Sequence, residues 1–330
     1  MKVNKFEKPS VSVIVPMRNS ETTILHTLES LNKQNYPISK IIIVDNMSSD
    51  NSIEVVEEYR GRNKKISISL IKHKKNKGVG ASYNEGVRTA KSKLLVFMHS
   101  DSKLPTVNEL SKLVTPMKDE KVVASYSTII LPAQVWETYN FWQKCLFART
   151  VGTKNPGLNG KFDCIKKEIF ISLGGFDDFN FGEDIGIGGE DADLHVKLRN
   201  EGKVLLSSAR VIHLHYLGKI YPLYSWIKNR KLLARTYGRY LRIHSKNLTF
   251  GDSVFAIKPT LAIFPLLPGL HLVGFMLLFF YSFLYLKKMF MTKSTLFDSR
   301  ILLVPFINVF LVYYETFYMI EAFLYSKKEV

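Results

Sequence analysis

Cysteine is nearly absent from these 330 residues: Cys145 and Cys164 are the only two. A disulfide framework and a four-cysteine zinc site are therefore excluded, and a reducing compartment is expected. Acid is also scarce, with 29 Asp+Glu against 46 Lys+Arg and a formal net charge of +17. The N-terminus offers only the strand-like run Val11–Pro16 instead of a signal-peptide core, so secretion is not expected. No internal repeat or low-complexity tract occurs. With 46% apolar and 12% aromatic residues, disordered and fibrous classes are excluded.

Charge disappears altogether over residues 259–286, which hold no Asp, Glu, Lys or Arg. As one helix this stretch would exceed a hydrocarbon core of roughly 30 Å, and it is predicted to span a bilayer. Ile301–Tyr325 is a weaker candidate, because Glu315 and Glu321 interrupt it. Glu315 then lies near headgroups or is paired within a bundle. The linker between them carries Lys287, Lys288, Lys293 and Arg300 against Asp298, a poor external loop. A re-entrant or interfacial first segment, kinked at Pro265 and Pro268, removes that conflict.

Just before this region come Lys228, Arg230, Lys231, Arg235, Arg239, Arg242, Lys246 and Lys258, against the single acid Asp252. Interleaved Trp226, Tyr237 and Tyr240 predict an amphipathic helix on an anionic membrane surface. Nucleic acid is not expected as a partner, since the basic cluster adjoins an apolar segment and no nucleic-acid motif accompanies it. Three parts are expected: residues 1–220, a basic juxtamembrane region over 221–258, and a membrane-associated helical hairpin over 259–330.

The first 215 or so residues alternate apolar strands with amphipathic helices. Strands are predicted at Val11–Val15, Ile41–Val44, Ile66–Ile71 and Leu94–Met98, and helices at Glu21–Lys33, Ser52–Tyr59 and Ala81–Lys91. This rhythm predicts an α/β domain with a Rossmann-like, mostly parallel central sheet covered on both faces. Ligands of such sheets sit at the carboxyl ends of strands. Those ends read Pro16-Met17-Arg18-Asn19, Asp45-Asn46 and His99-Ser100-Asp101. Acids there suit a nucleotide, which needs an acceptor for base or ribose and a cation for its phosphates. Asp50 is better read as a helix cap.

The ordered set VSVIVPMRN, IIIVDNMSSDNS, NKGVGASYNEGV, LLVFMHSD, GGFDD, GGEDADLHVKLRNEG and VIHLH resembles the family 2 glycosyltransferases of GT-A fold over about residues 10–215. The resemblance implies an inverting enzyme using a nucleotide-sugar donor. Asp45 would contact the base, helped by the backbone at Pro16 and by Asn19, with Asn76, Gly78, Asn84 and Ser100 also on the nucleotide side. Asp101 matches the last acid of the family's metal-binding element, and His99 stands where its first acid would be. His213 matches a histidine that reaches metal or diphosphate, whereas His215 receives no assignment. The implied cofactor is Mn²⁺ or Mg²⁺, and an imidazole ligand suits Mn²⁺ better.

Glu190-Asp191 opens a helix predicted over Ala192–Asn200, where acids can be mere caps. The resemblance instead makes Asp191 the general base and Glu190 the residue that orients it. On the acceptor side, Gly174–Asp178 resembles a turn with Phe176 as apolar anchor and Asp177 as an acceptor contact, and the loop 177–189 is expected to close over the sugar. The aromatic stripe Gln134–Val151 reads as core. It could also guide a lipid-linked acceptor, with Trp142 as the contact. The expectation is a transferase at the cell membrane, catalytic domain facing the cytoplasm, acting on a lipid-linked or glycan hydroxyl. A nucleotidyltransferase is disfavoured because PMRNSETT lacks a glycine-rich phosphate loop. A non-catalytic basic membrane module is the third reading.

Overall fold

The structure is a computed structural model that describes residues 9–148, 157–182, 188–214, 221–246, 248, 250–284, 289 and 293–325. In chain order the first elements are β1 (Val11–Met17), α1 (Ile24–Asn32), β2 (Ile38–Asp45), α2 (Ser52–Arg62), β3 (Ile68–Lys72), α3 (Val79–Thr89), β4 (Leu94–Phe97), β5 (Ser102–Lys103), α4 (Glu109–Val114) and β6 (Val122–Ile130). Then come α5 (Ala133–Thr138), α6 (Phe141–Phe147), β7 (Asp163–Lys166), α7 (Lys167–Ser172), α8 (Glu190–Glu201) and β8 (Lys203–His213). The helices α9 (Leu223–Ile243), α10 (Ile257–Ile263), α11 (His271–Leu284), α12 (Lys293–Leu296) and α13 (Val304–Tyr325) follow.

Two compact units result: Met1–Pro132, Lys154–Glu183 and Glu190–Gly218 form the first, and Ala133–Thr153, Asp184–Gly189 and Lys219–Val330 the second. The division expected at residue 220 therefore misses residues 133–153. These join the helical unit because the aromatic side chains of α6 pack within it: Trp142 stacks on Trp226 at 6.0 Å, and the Arg300 guanidinium sits 4.8 Å from the Phe141 ring.

In the first unit the strand order is β3-β2-β1-β4-β7-β6-β8-β5. β1, β2, β3 and β4 pair in parallel, as do β6 and β8, while β7 and β5 run against their neighbours. β6 ends at the rim where β4 ends, and the chain enters β7 from that rim, so β7 runs back. Burial on both faces explains the unbroken apolar strands. Val13, Val15, Ile41 and Ile43 pack under α1, α2 and α4, whereas Ile14, Ile42 and Val44 face Tyr83, Phe170 and Leu194 from α3, α7 and α8. Successive strand side chains alternate faces, so one strand supplies both cores.

In the second unit the apolar stretch 259–286 is not one helix. α10 passes into a 3₁₀ turn at Phe264–Leu266, the chain breaks at Gly269 (φ 78°), and α11 starts at His271. At 14 residues, α11 is about 21 Å long, short of a bilayer core. Gly274 lies so close to the Phe264–Pro265 backbone that a Cβ would fall 2.7 Å from the Phe264 carbonyl carbon, and His271 Nδ1 meets the Pro265 carbonyl oxygen at 2.7 Å. The segment folds back on itself between Phe264 and His271. The weaker candidate is the longer helix: Ser299–Tyr325 runs 27 residues and is long and apolar enough to cross a membrane.

The basic helix α9 also departs from expectation. Several of its cations face α13 rather than a lipid surface. The Arg230 side chain is 5% exposed and forks onto Glu315, Arg235 Nε lies 3.3 Å from Glu321, and Lys231 Nζ sits 4.2 Å over the Tyr318 ring. Arg242 Nη1 donates to the terminal α13 carbonyls of Phe323 and Leu324 at 2.9 and 2.7 Å. Acids in an apolar helix need partners when buried, and α9 provides them.

Candidate active site

At the end of β2, Asp45 is 2% exposed. Its Oδ2 accepts from the Ser48 N–H at 3.2 Å, while its buried Oδ1 has no hydrogen-bond partner among the described residues. Leaving a buried carboxylate oxygen unbonded is costly, so this atom is a ready acceptor for a ligand N–H or O–H. Pro16 lies beside it, opposite Val44 in the β1–β2 register. The chain then turns through Asn19 at φ 50°, whose Oδ1 accepts from the Ser49 N–H at 2.8 Å.

The turn carrying Asn76 and Gly78 is pinned by Asn46, which sequence reasoning did not single out. Asn46 Oδ1 accepts from the Lys77 N–H at 2.8 Å, its Nδ2 donates to Asn76 Oδ1 at 2.5 Å, and the same Asn76 oxygen accepts from the Gly78 N–H at 3.0 Å. Gly78 needs its missing side chain, with φ at 86°. Ser100 acts as a brace. Its hydroxyl shares a 2.8 Å hydrogen bond with Ser20 and its carbonyl accepts from Thr27 Oγ1 at 2.9 Å, tying the ends of β1 and β4 together.

The antiparallel β5–β8 pairing sets Ser102 opposite His213. Asp101 thereby meets His213 across the strands: Nε2 lies 3.0 Å from Oδ2, and the Leu214 N–H donates to the Asp101 carbonyl at 2.7 Å. His99 Nδ1 is 3.8 Å from Asp101 Oδ1. One ligand atom from each of His99, Asp101 and His213 lies within 4.8 Å of the others, all half-buried. Two imidazoles and a carboxylate make a donor set that fits Mn²⁺ better than the all-oxygen preference of Mg²⁺. His215 lies outside the described residues.

Gly188 (φ 78°) and Gly189 (φ 101°) lead into α8, whose first residues are Glu190 and Asp191. Glu190 is buried, and desolvation, aided by the adjacent Asp191, pushes its carboxyl up to about 8. Asp191 is the half-buried member, and its Oδ1 accepts from the Ala192 N–H at 2.8 Å. At neutral pH the pair is thus not two anions side by side.

Two further residues hold these parts together. Asp163 opens β7 opposite Phe97, and its Oδ2 accepts from the N–H groups of Asn159 and Gly160 at 2.9 and 2.6 Å. Burial, with Asp191 adding, pushes Asp163 up to about 7. Tyr83, fully buried on α3, donates its hydroxyl to the Gly160 carbonyl at 2.6 Å. Burial raises that hydroxyl far above a free phenol, and the charges of Asp163, Glu190, Asp101 and Asp191 all push the same way. The Tyr83 ring lies 6.3 Å from the His99 ring. The available sequence signals were an acid opening a buried strand after an Asn-Gly turn, and a tyrosine inside the NKGVGASYNEGV run.

Asn84 is a strut rather than a free amide: Nδ2 donates to the Phe176 carbonyl at 2.8 Å and Oδ1 accepts from the Phe176 N–H at 3.0 Å. Phe176 is the apolar anchor expected, stacked 5.1 Å from Tyr83. Asp177 spends both oxygens on Asn180, at 2.8 Å each, as turn acids do. Residues 183–187 of the loop expected to close over the sugar lie outside the described residues, as do residues 149–151 of the aromatic stripe. Trp136 is buried, so it does not reach outward, and Trp142 belongs to the helical unit.

Residues 12–166 match the family model described as Glycosyl transferase family 2. EpsH of Bacillus subtilis strain 168 is 37% identical over 95 residues, covering 29% of this chain and 27% of that protein. The Escherichia coli UDP-Glc:alpha-D-GlcNAc-diphosphoundecaprenol beta-1,3-glucosyltransferase WfaP is 32% identical over 117 residues, covering 36% and 45%. The chain thus spans less than half the length of these relatives. Among solved structures, the mannosyltransferase PcManGT of Pyrobaculum calidifontis, in complex with GDP-Man and Mn²⁺, superposes with a TM-score of 0.64 at 17% identity, over 97% of this chain and 88% of that one. The fold is the GT-A type that the resemblance implied.

Proposed function

We infer that this chain, which carries a family 2 glycosyltransferase domain over residues 12–166, moves a sugar from a nucleotide donor to an acceptor hydroxyl with inversion at the anomeric carbon. The observation that carries the reading is the cluster of His99, Asp101 and His213, whose ligand atoms lie within 4.8 Å of one another, with the buried Tyr83 ring 6.3 Å from the His99 ring.

Asp45 Oδ1 accepts a hydrogen bond from the nucleotide base, with Asn19 and the Asn46-pinned turn shaping that side of the site. His99, Asp101 and His213 would hold a divalent cation, which when bound neutralises the diphosphate as it departs. Asp191 takes the proton of the acceptor hydroxyl while that oxygen bonds to the anomeric carbon and the bond to the diphosphate oxygen breaks. Glu190, protonated at neutral pH, positions Asp191 without adding a second negative charge. Asn84 and Phe176 fix the neighbouring turn.

The helical unit supports a membrane location. Phe306 and Phe317 of α13 are 72% and 63% exposed, a large apolar surface to leave in water. The acceptor is then lipid-linked or a glycan, in keeping with the acceptor in the name of WfaP, and the catalytic unit faces the cytoplasm, where nucleotide sugars are found. A panel of nucleotide sugars, incubated with lipid-linked acceptors and either Mn²⁺ or Mg²⁺, tests the reading. Sugar transfer with release of a nucleoside diphosphate is expected. Release of pyrophosphate from a nucleoside triphosphate, or no turnover with any donor, would overturn it.

A further inference from the structure

His73 follows β3 directly, and its backbone N–H donates to the Asp45 carbonyl at 2.9 Å, so the parallel pairing of β2 and β3 continues to the point where both strands end. The side chain is only 9% exposed. Its Nδ1 lies 3.2 Å from Asn46 Oδ1, while its buried Nε2 has no hydrogen-bond partner among the described residues. Asp45 Oδ1, one strand away, is buried and unbonded in the same manner.

The neighbouring bonds determine what each atom can do. The Lys77 N–H donates to Asn46 Oδ1 at 2.8 Å and Asn46 Nδ2 donates to Asn76, so the atom facing His73 is the amide oxygen, an acceptor. His73 Nδ1 must then carry the proton. Burial, with the Lys77 ammonium adding, holds the imidazole below its ordinary pKa, which keeps the ring neutral at pH 7 and leaves Nε2 a bare lone pair. Both acceptors are fixed by the rest of their own side chains. Asn46 holds the His73 ring, and the Ser48 N–H holds Asp45 Oδ2 at 3.2 Å across a turn in which Met47 takes φ 63°, a conformation that strains a methionine.

Two buried acceptors at adjacent strand ends are costly unless a ligand brings the donors. Acceptors alone do not suit every nucleobase. Uracil offers a single ring N–H between two carbonyl oxygens, and adenine and cytosine set a bare ring nitrogen beside their amino group. Guanine presents a ring N–H next to an amino group, two donors side by side. A uracil carbonyl brought up to the Nε2 lone pair would leave both atoms unpaired, so the same site rejects that base.

We propose that His73 is a specificity-determining residue of the donor site: its Nε2 accepts from the amino group of a guanine whose ring N–H donates to Asp45 Oδ1, so that the sugar arrives on guanosine diphosphate. The proposal rests on the nucleotide-sugar reading above and adds the identity of the base.

Isothermal titration of the full chain in detergent, with Mn²⁺ present, against GDP, UDP, ADP, CDP and inosine diphosphate tests it. GDP is expected to bind about tenfold or more tightly than each of the others, the scale of one hydrogen bond made to a buried acceptor instead of missed. Inosine diphosphate is the sharpest probe, because it lacks only the amino group assigned to His73. His73→Phe should bring GDP and inosine diphosphate to equal affinity, and His73→Gln, which keeps a donor for Asn46 and an acceptor oxygen, should keep GDP ahead. Equal binding of those two ligands by the parent, or a preference for GDP over inosine diphosphate that survives His73→Phe, would overturn the proposal. Tighter binding of UDP than of GDP would overturn it and leave the transferase reading standing, whereas a chain that binds none of the five would sink both.

Discussion

The Tyr83 hydroxyl donates to the Gly160 carbonyl at 2.6 Å, and this one bond locks a loop against the base of the site. Gly160 (φ 65°) lies where a Cβ would come 3.2 Å from His99 Nε2, and its N–H is held by Asp163. The cluster of His99, Asp101 and His213 is thus backed by a buried phenol that also stacks on Phe176 of the GGFDD turn. A ring and a glycine carbonyl 77 residues apart in the chain are thereby joined.

Asp191→Asn should remove the proton acceptor and keep the shape. We expect transfer to fall by about 10²–10⁴-fold, the usual scale for a general base, with nucleotide binding nearly unchanged. Isothermal titration with the nucleoside diphosphate, beside a transfer assay, checks both. Undiminished transfer would remove Asp191 from the chemistry.

Asp101→Asn and Asp45→Asn should fail differently. The first weakens donor binding only when Mn²⁺ is present, because Asp101 belongs to the cation cluster. The second weakens it with or without metal, by about 1.5–3 kcal/mol for a lost hydrogen bond to a charged group. Titrations with and without a chelator separate the two. Identical metal dependence in both variants would break the division of labour.

Glu190→Gln carries a pH prediction. The native carboxyl keeps its proton to about pH 8, whereas the model-peptide value is 4.5. Between these values the native state holds more protons than the unfolded chain, so the stability contributed by protonated Glu190 is complete below about 4.5 and is lost as pH rises through about 8. Glutamine does not titrate. The variant should therefore gain stability relative to the parent as pH rises across this window, read as urea midpoints at the two ends. A constant difference would show that Glu190 is not held neutral.

Gly238→Ala probes the α9–α13 packing. A Cβ at this position would overlap the Met319 carbonyl oxygen and come within 3.0 Å of Ala322 Cβ. Backbone cannot yield as a side chain can, so a loss of roughly 1–3 kcal/mol is expected, the range for overpacking. Thermal unfolding followed by the helical signal measures it. An unchanged midpoint would mean that the two helices are not in close contact there.

Much of the first unit was legible in the sequence because its signals are local. The near-continuous apolar runs of Val11–Met17 and Ile38–Asp45, and the helical spacing of Ile24, Leu28 and Leu31, are written in neighbouring residues, so each strand and helix of the first sheet half was placed within a few positions. The strand ends followed, and with them Asp45, His99 and Asp101. Asp177 was legible only as an acid in a turn, and whether its oxygens faced a ligand or Asn180 depended on how the turn closed.

Pattern and order along the chain settled the parallel sheet, the acids at its rim and the apolar C-terminal third, since period and composition survive without knowledge of any partner. Tertiary structure alone decided that the Tyr83 hydroxyl bonds the Gly160 carbonyl near His99, that Asp163 holds the same turn, and that Arg230 pairs with Glu315. It also decided that residues 259–286 fold back while the helix ending at Tyr325 runs long. The reason is that burial and charge pairing are properties of positions in space. An arginine and a glutamate 85 residues apart carry no mark of each other until the backbone brings them within 3 Å.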